Sequence, residues 1–294
     1  MRMKSLVAMS VLIALMTGVF VVSAQDEDVR GAFLESRPKT TNLKGPSRRH
    51  RRRPAKTTTN ANASAATNTN TTTAATSGPP SRKAQPAIGL GYTIFMREPS
   101  GRAIRIEPTR EFRTGDRIRI ALEPNTDGYL YIFDSENGAA PKMIFPDARL
   151  DGGENWIEAH VPVEVPSSEE PEERLRWFEF YGDPGTDRIF IVVTREPLNG
   201  VPTAEELVAF CGLNKDKCPW QAPDDVWQLI TKATTTKVKV VTTQNFGQAQ
   251  TEREKVAMTR GLGLDQSMPQ PSVIRINASS NEPMLVTVLD LVHK

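Results

Sequence analysis

Two neighbouring segments with different hydrophobic patterns constrain the fold of this chain most strongly. Residues 117–122 alternate between branched apolar and polar or small side chains, which predicts a strand with one buried face. Residues 129–133 are apolar throughout and rich in aromatic and β-branched side chains, which is typical of a strand covered on both faces. Between them, Asp127 and Gly128 supply the positive φ that a tight connection needs. The pattern predicts an antiparallel hairpin.

Further strand-like runs, separated by turn residues, continue this pattern as far as residue 194. Many short strands at such spacing predict a mainly β fold, an antiparallel β-sandwich of the Ig-like or jelly-roll-like kind. The predicted strands are residues 91–97, 103–107, 117–123, 128–134, 142–145, 156–159, 161–165, 176–181 and 188–194.

The hydrophobic pattern becomes helical near residue 202. Thr203–Glu206 and Thr251–Glu254 have the form of capping boxes, and Asp224 begins a further amphipathic stretch. Strand-like runs return at residues 237–242, 272–277 and 284–293. We therefore predict one β-sandwich domain, residues 87–294, with a helical insertion over about 202–264 near its C-terminal third. A separate small α/β domain is the alternative.

The first 24 residues have the features of a secretory signal peptide. A basic start precedes the apolar run of residues 6–22, and Ser23 and Ala24 form a small-residue cleavage site. Cleavage near Ala24 predicts a secreted or periplasmic protein. A retained membrane anchor is the alternative, because the apolar run approaches the length of a membrane span.

Residues 25–86 are predicted to be a disordered, basic linker rich in Thr, Asn and Pro. Residues 37–86 hold eleven Lys or Arg and no Asp or Glu, whereas residues 87–294 hold 23 basic and 31 acidic side chains. The linker has too few large apolar residues to offset its ordering entropy. Its arginine cluster is expected to contact an anionic surface or an acidic domain, not nucleic acid, which a secreted protein does not meet: Arg48, Arg49, Arg51, Arg52 and Arg53.

Cys211 and Cys218 are the two cysteines of the chain. Two nearby cysteines in an oxidising compartment usually pair, so we predict a structural disulfide. The spacing is not that of a Cys-x-x-Cys redox pair, and a zinc site needs more ligands than the neighbourhood offers.

The sequence contains no motif for a catalytic or cofactor site. His160 and His293 are the histidines of the predicted domain, and neither accompanies a nucleophile signature. Acidic residues at 169–173 predict a solvated loop, and those at 147–154 could offer oxygens to calcium without the spacing of a known calcium loop. We expect no cofactor and no enzymatic activity, although a carboxylate pair for glycoside hydrolysis is harder to exclude.

Aromatic side chains are the better candidates for a binding surface. Aromatic faces stack on sugars and fill anchor pockets for peptides. Each of these residues has packing in the core as its alternative role. The candidates are Tyr129, Tyr131, Trp156, Trp177, Phe178, Tyr181 and Trp220.

The order of several short motifs resembles a known bacterial family, the domain of unknown function 4384. Phe-Arg-x-Gly-Asp at 112–116 is followed by Asn-x-Asp-Gly-Tyr-Leu-Tyr at 125–131 and Ile-Phe-Pro at 144–146. Asn155, Val-Pro at 165–166, Asp-Pro-Gly-Thr-Asp-Arg at 183–188 and Val-Val-Thr-Arg-Glu-Pro at 192–197 then follow in order. The resemblance covers about residues 88–197. It implies a β-rich accessory module, and no catalytic residues are established for the family.

Together these features predict a non-catalytic secreted or periplasmic β-module that mediates protein–protein interaction in the cell envelope. A glycan- or cell-wall-binding module and a carboxylate-dependent hydrolase are the alternatives. An enzyme should have close carboxylates in a concave pocket, at least one with a raised pKa. A binding module should have an aromatic groove or an unpaired edge strand.

Overall fold

The described strands form two antiparallel sheets, so the protein is mainly β and sandwich-like, as predicted. The computed structural model describes residues 24–40, 85–149 and 151–294. In chain order the elements are α1 Ala24–Glu35, β1 Gly89–Arg97, β2 Ala103–Ile106, β3 Arg117–Pro124, β4 Gly128–Glu136, β5 Lys142–Phe145, β6 Trp156–Ile157, β7 Val163–Val165, β8 Phe178–Glu179, β9 Gly185–Thr194, α2 Ala204–Leu213, α3 Asp224–Ala233, β10 Val238–Thr242, α4 Glu252–Thr259, β11 Val273–Asn277 and β12 Met284–His293.

One sheet, sheet A, has the strand order β10-β11-β1-β3-β7, with β2 added to β1 and β8 added to β3. The other, sheet B, has the order β12-β9-β4-β5, with β6 added to β4. Alternate residues of both sheets face each other and form the main apolar core, to which Leu90, Ile120, Ile132, Ile191 and Leu289 belong. The period-two pattern of the sequence therefore fixes which side chains meet between the sheets.

The predicted hairpin of β3 and β4 is wrong, because the two strands lie in different sheets. β3 pairs with β1, β7 and β8, and β4 pairs with β5, β6 and β9. Gly128 is needed for a close approach between strands, since a Cβ there would lie 2.2 Å from the carbonyl oxygen of Thr194. The connection after β3 thus passes from sheet A to sheet B and does not turn back within one sheet.

Helices α2 and α3 cover the outer face of sheet B and enclose a second apolar core. This core joins Tyr131 and Val192 of the sheet to Leu207 of α2 and Ile230 of α3. Cys211 and Cys218 are joined by a disulfide at the end of α2, with an S–S distance of 2.05 Å. Residues 202–264 thus contain helices, as their pattern indicated, although β10 within the same region is a strand of sheet A.

The two predicted capping boxes have different outcomes. At α2 the Thr203 side chain makes no capping hydrogen bond, and the helix enters through Ala204 at a positive φ of 51°. At α4 the box is complete: Thr251 Oγ1 accepts from the Glu254 N–H at 3.2 Å, and the Glu254 carboxylate accepts from the Thr251 N–H at 2.9 Å. Glu254 is also buried against Arg105, which ties α4 to β2.

Residues 25–35, predicted to be part of the disordered linker, instead form most of helix α1. Val29 and Phe33 are buried against Val241 of β10 and Ile274 of β11, on the outer face of sheet A. Helix α1 contains few apolar side chains, so its sequence lacks a clear amphipathic pattern and its composition favours disorder. The predicted signal segment up to residue 23 and the linker residues 41–84, with Arg48–Arg53, lie outside the described residues.

Arg37 anchors the segment that follows α1. Its guanidinium donates to both carboxylate oxygens of Glu123 at 2.7 and 2.6 Å, and to the carbonyl oxygens of Asp265, Met268 and Pro269. The Arg37 side chain is fully buried. Residues 24–37 are therefore an integral part of the fold. Within the part of the chain that the structure describes, no helix has the length and apolar character needed to cross a membrane.

Candidate functional site

At one end of the sandwich, the positions that face the core change from apolar to acidic. On β4 the inward-facing Ile132 is followed by Asp134 and Glu136, and on β9 the inward-facing Ile189 is preceded by Asp187. Side chains two residues apart on a strand lie on the same face. The three carboxylates therefore point into the space between the sheets, beyond the end of the apolar core.

These carboxylates line a cleft of about 380 Å³ that opens between the two sheets. Ile118, Ile189 and Leu291 of the core form its floor, and Trp177 and Tyr181 stand on the opposite side from the acidic strands. The cleft thus combines an apolar floor, an aromatic wall and an acidic wall, which is the usual composition of a ligand site.

Burial and the charges of neighbouring carboxylates raise the pKa values of Asp134 and Asp187 in the acidic wall. Burial raises the pKa of Asp134 to about 6, with further contributions from the charges of Asp187 and Glu136. Burial also raises the pKa of Asp187, and Glu136 directly opposite on the neighbouring strand adds to the effect. Among the described residues, Asp134 Oδ1 is buried without a hydrogen-bond partner, and none of the three carboxylates forms an ion pair.

The aromatic wall is held in place by neighbouring side chains. The guanidinium of Arg119 lies 4.1 Å from the ring centroid of Trp177, which fixes one face of the indole by a cation–π contact. Phe180 stacks on Phe112 with ring centroids 4.3 Å apart. Tyr181 is 82% exposed at the rim, an unusual position for a large aromatic side chain and one that is available to a ligand.

Positive charge around the cleft is sparse. Of the residues that line it, Arg174 already pairs with Glu172 at 2.6 Å, and His293 makes a 3.1 Å hydrogen bond with Thr114. The cleft should therefore attract cations and repel anionic polymers. In residues 24–40, 85–149 and 151–294, no group of three potential ligand side chains is arranged to hold a metal ion.

The aromatic candidates from the sequence are divided between different parts of the fold. Trp177, with Phe178 and Tyr181, lines the cleft. Tyr131 is fully buried beneath the helical insertion, where its hydroxyl accepts from the Leu198 N–H at 2.9 Å, and Trp220 is 8% exposed in the same core. The expectation of a binding role for Tyr131 and Trp220 is therefore corrected.

Tyr129 and Trp156 contact each other edge to face, with ring centroids 5.0 Å apart. Both are half-buried where β4 pairs with β6, away from the acidic end of β4. The cleft could have been found in the sequence only through the replacement of inward-facing apolar residues by Asp134, Glu136 and Asp187.

A second polar cluster has the order of a nucleophilic triad but serves as an anchor. His160 Nδ1 lies 2.7 Å from Glu123 Oε1, and its Nε2 lies 2.7 Å from Ser36 Oγ. The Ser36 hydroxyl can donate to the Phe33 carbonyl at 2.7 Å, and both carboxylate oxygens of Glu123 accept from the Arg37 guanidinium. Arg37 neutralises the Glu123 carboxylate, and the Ser36 hydroxyl can donate to a main-chain carbonyl instead of to His160, so we interpret this cluster as the attachment point of the N-terminal segment.

Comparison with known proteins gives one family. Residues 111–197 match the family described as "Domain of unknown function (DUF4384)". No curated protein and no solved structure matches the chain. The matched region runs from just before β3 to just after β9 and contains most of the cleft, whereas β1, β11 and β12 lie outside it. The match over residues 111–197 confirms the resemblance to the DUF4384 family that the order of the motifs indicated.

Proposed function

We propose that this protein is a non-catalytic, secreted or periplasmic binding module whose cleft takes a positively charged segment of a cell-envelope protein. The proposal rests on one observation: three carboxylates that form no ion pair within the described part of the chain lie across the cleft from an aromatic wall. Asp134, Glu136 and Asp187 face Trp177 and Tyr181 across one cleft. An arginine or lysine side chain satisfies both walls, because its stem packs on apolar surface while its charge meets a carboxylate.

Charge also decides between classes of ligand. An anionic polymer would bring its charges against the acidic wall, where burial first and repulsion among carboxylates second raise the pKa values of Asp134 and Asp187. A cation relieves that repulsion. A basic protein segment is therefore favoured over anionic envelope polymers, and a neutral glycan would use the aromatic wall alone.

The test is a titration of the full chain with fluorescein-labelled peptides by fluorescence anisotropy. The probe Gly-Arg-Trp-Arg-Leu-Arg-Gly is compared with the same peptide carrying Glu in place of Arg. We expect the basic peptide to bind and the acidic one to show no binding. Affinity should fall with added salt, since partly exposed charges are screened.

Charge-matched variants locate the binding site. Asp134→Asn combined with Asp187→Asn should weaken binding about tenfold or more, because each removes a carboxylate from the cleft. Glu107→Gln combined with Glu158→Gln removes two exposed acidic charges elsewhere and should change the affinity less than about twofold. If both double substitutions change the affinity equally, binding depends on the net charge of the protein and not on the carboxylates of the cleft.

One observation favours a second function, carboxylate-dependent hydrolysis of a glycan. A pKa of about 6 would allow Asp134 to act as a general acid near neutral pH, beside other carboxylates in the same cleft. Incubation with neutral chito-oligosaccharides and peptidoglycan fragments, followed by assay of reducing ends, tests it. Turnover that is lost in Asp134→Asn would replace the binding proposal, and no turnover is expected.

A further inference from the structure

Strand β12 is an edge of sheet B, and part of its outer side is unpaired. It is ten residues long and pairs along its length with β9 on one side. On an antiparallel strand, the N–H and C=O groups of alternate residues point to the same side. The Phe112 N–H donates to the Val292 carbonyl at 2.8 Å, so residues with even numbers point away from β9.

The two ends of this outer side are already occupied. The Lys294 N–H donates to the Phe112 carbonyl at 2.9 Å, and the Met284 carbonyl accepts from Asn277 Nδ2 at 2.9 Å. Between them, the outward N–H and C=O groups of Val286, Val288 and Asp290 have no hydrogen-bond partner in the described part of the chain. Unpaired main-chain groups along a strand are a template for a further strand.

The space next to this edge is bordered by apolar surface from sheet A. On β10, Val238 packs against the core between the sheets, so Val240, two residues on, faces the same way. Val240 is nevertheless 43% exposed. The chain passes directly from β11 in sheet A to β12 in sheet B, and Asn277 at the end of β11 bonds to Met284 at the start of β12. We therefore place β12 opposite β11, so β10, on the outer side of β11, extends one strand further than β12. Sheet B thus lacks a strand opposite β10.

Two buried polar groups beside the same space are also unsatisfied. Arg275 is the cross-strand neighbour of Val240, and Asn277 is the neighbour of Val238. Among the described residues, Arg275 Nε and Asn277 Oδ1 are buried without a hydrogen-bond partner, and Asn277 is 2% exposed. Buried polar groups are normally paired, so two such groups beside one open edge indicate a missing partner.

We propose that β12 accepts an extended strand donated by a partner protein, which completes sheet B opposite β10. The donated main chain pairs with Val286, Val288 and Asp290, and its alternate side chains cover Val240. The donor is therefore an extended segment with apolar residues at every second position, which is the pattern of recognition by strand addition.

The topology argues against a second copy of this chain as the donor. Antiparallel pairing of β12 with β12 of another copy would place that copy's β11 at the position that β10 occupies, because each β12 lies opposite its own β11. Parallel pairing would turn the other copy over and bring its β10 against helix α3, which packs on β12. An isolated strand carries no such neighbour and enters without a clash. This edge is distinct from the acidic cleft, so the inference stands independently of the proposed function.

Hydrogen exchange of the full chain tests whether the edge is open. Amides of Val286, Val288 and Asp290 should exchange faster than those of Leu285, Thr287 and Leu289, which point toward β9. The alternation within one strand serves as the internal control. Slow exchange at all six amides in the free chain would overturn the proposal, because the edge would then already be covered by residues 41–84 or by a second copy.

Binding is measured by anisotropy with the labelled peptide Lys-Thr-Val-Thr-Val-Thr-Val-Thr-Lys. It should bind and slow the exchange of the three outward amides, while the same peptide with proline at its central valine should not. Val240→Lys should weaken binding about tenfold, since it places a charge under the donated strand. Val208→Lys is the matched control, because Val208 on α2 is also 43% exposed.

A second variant acts on the main chain itself. Val288→Pro removes an outward N–H without removing a bond to β9, and should abolish peptide binding. Thermal unfolding of each variant verifies that it is folded. If folded Val240→Lys and Val288→Pro bind the peptide as well as the Val208→Lys control, the inference is wrong.

Discussion

Replacing Arg37 with alanine tests whether the N-terminal segment is part of the folded domain. The Arg37 side chain is fully buried, and it donates to both oxygens of Glu123 and to three carbonyl groups of residues 265–269. The substitution leaves Glu123 buried with His160 as its remaining side-chain hydrogen-bond partner in the described part of the chain. It also leaves the three carbonyl groups without their donor.

The expected cost follows from these contacts. Removing one partner of a buried ion pair costs about 3–5 kcal/mol, most of it from the charge that is left unpaired. With a urea dependence of about 2 kcal/mol/M, the midpoint of unfolding should fall by about 2 M. Adding Glu123→Gln should recover part of this loss, because the unpaired charge is then removed as well.

Urea unfolding followed by tryptophan fluorescence measures the effect. Arg102→Ala is the control, since Arg102 forms an exposed ion pair with Glu98 and its loss should cost less than about 1 kcal/mol. If Arg37→Ala shifts the midpoint no more than Arg102→Ala does, residues 24–37 are not anchored as the structure shows. A chain beginning at residue 41 with undiminished stability would refute the same reasoning.

Three further predictions concern other parts of the fold. Gly31→Ala in α1 should raise the free energy of unfolding by about 0.5–1 kcal/mol, because an added Cβ meets nothing within 4 Å. Gly128→Ala should lower it by about 1–3 kcal/mol, because its Cβ would lie 2.2 Å from a backbone oxygen. Urea unfolding measures both changes. The pKa of Asp134 is raised to about 6, so the folded state favours the protonated carboxyl; this contribution to stability is complete below the ordinary pKa and is lost as the pH rises through 6. Asp134→Asn should therefore stabilise the protein by about 1 kcal/mol at pH 8 and leave its stability unchanged at pH 3. Equal shifts of the unfolding midpoint at both pH values would contradict this. Replacing Cys211 and Cys218 by serine opens a loop with a sequence separation of 7 and should lower the free energy of unfolding by about 2.5 kcal/mol in the same assay. The affinity of the cleft for the basic peptide should not change.

Local pattern predicted the strands well but could not assign them to sheets. The alternation in residues 117–122 and the apolar run at 129–133 each form a strand of the structure, β3 and β4. Their connection resembles a turn in sequence, yet the strands separate into different sheets, because each pairs with strands far along the chain. Pairing partners are a property of the whole sheet, so a short turn signal could not decide between them.

The candidate site was less accessible to sequence reasoning than the fold. Aromatic residues were sensible candidates, but whether a side chain such as Trp177 or Tyr131 faces a cleft or a core depends on what covers its sheet face. Helices α2 and α3 cover Tyr131, while nothing in the described structure fills the space beside Trp177. The acidic wall follows from inward-facing positions at a strand end, and these become recognisable only when the register of the strands is known.

The pairing of the first described strands with the last ones has a consequence for biosynthesis. β1 pairs with β11, Phe112 bonds to the end of β12, and Arg37 bonds to carbonyls of residues 265–269. A chain leaves the ribosome with its N-terminus first, and contacts that are distant in sequence form slowly. Sheet A cannot be completed until residue 277 has emerged, and sheet B cannot be completed until residue 293 has emerged. Nascent chains of this protein therefore expose apolar strands throughout their synthesis, and truncation even within β12 should direct them to chaperones or proteases.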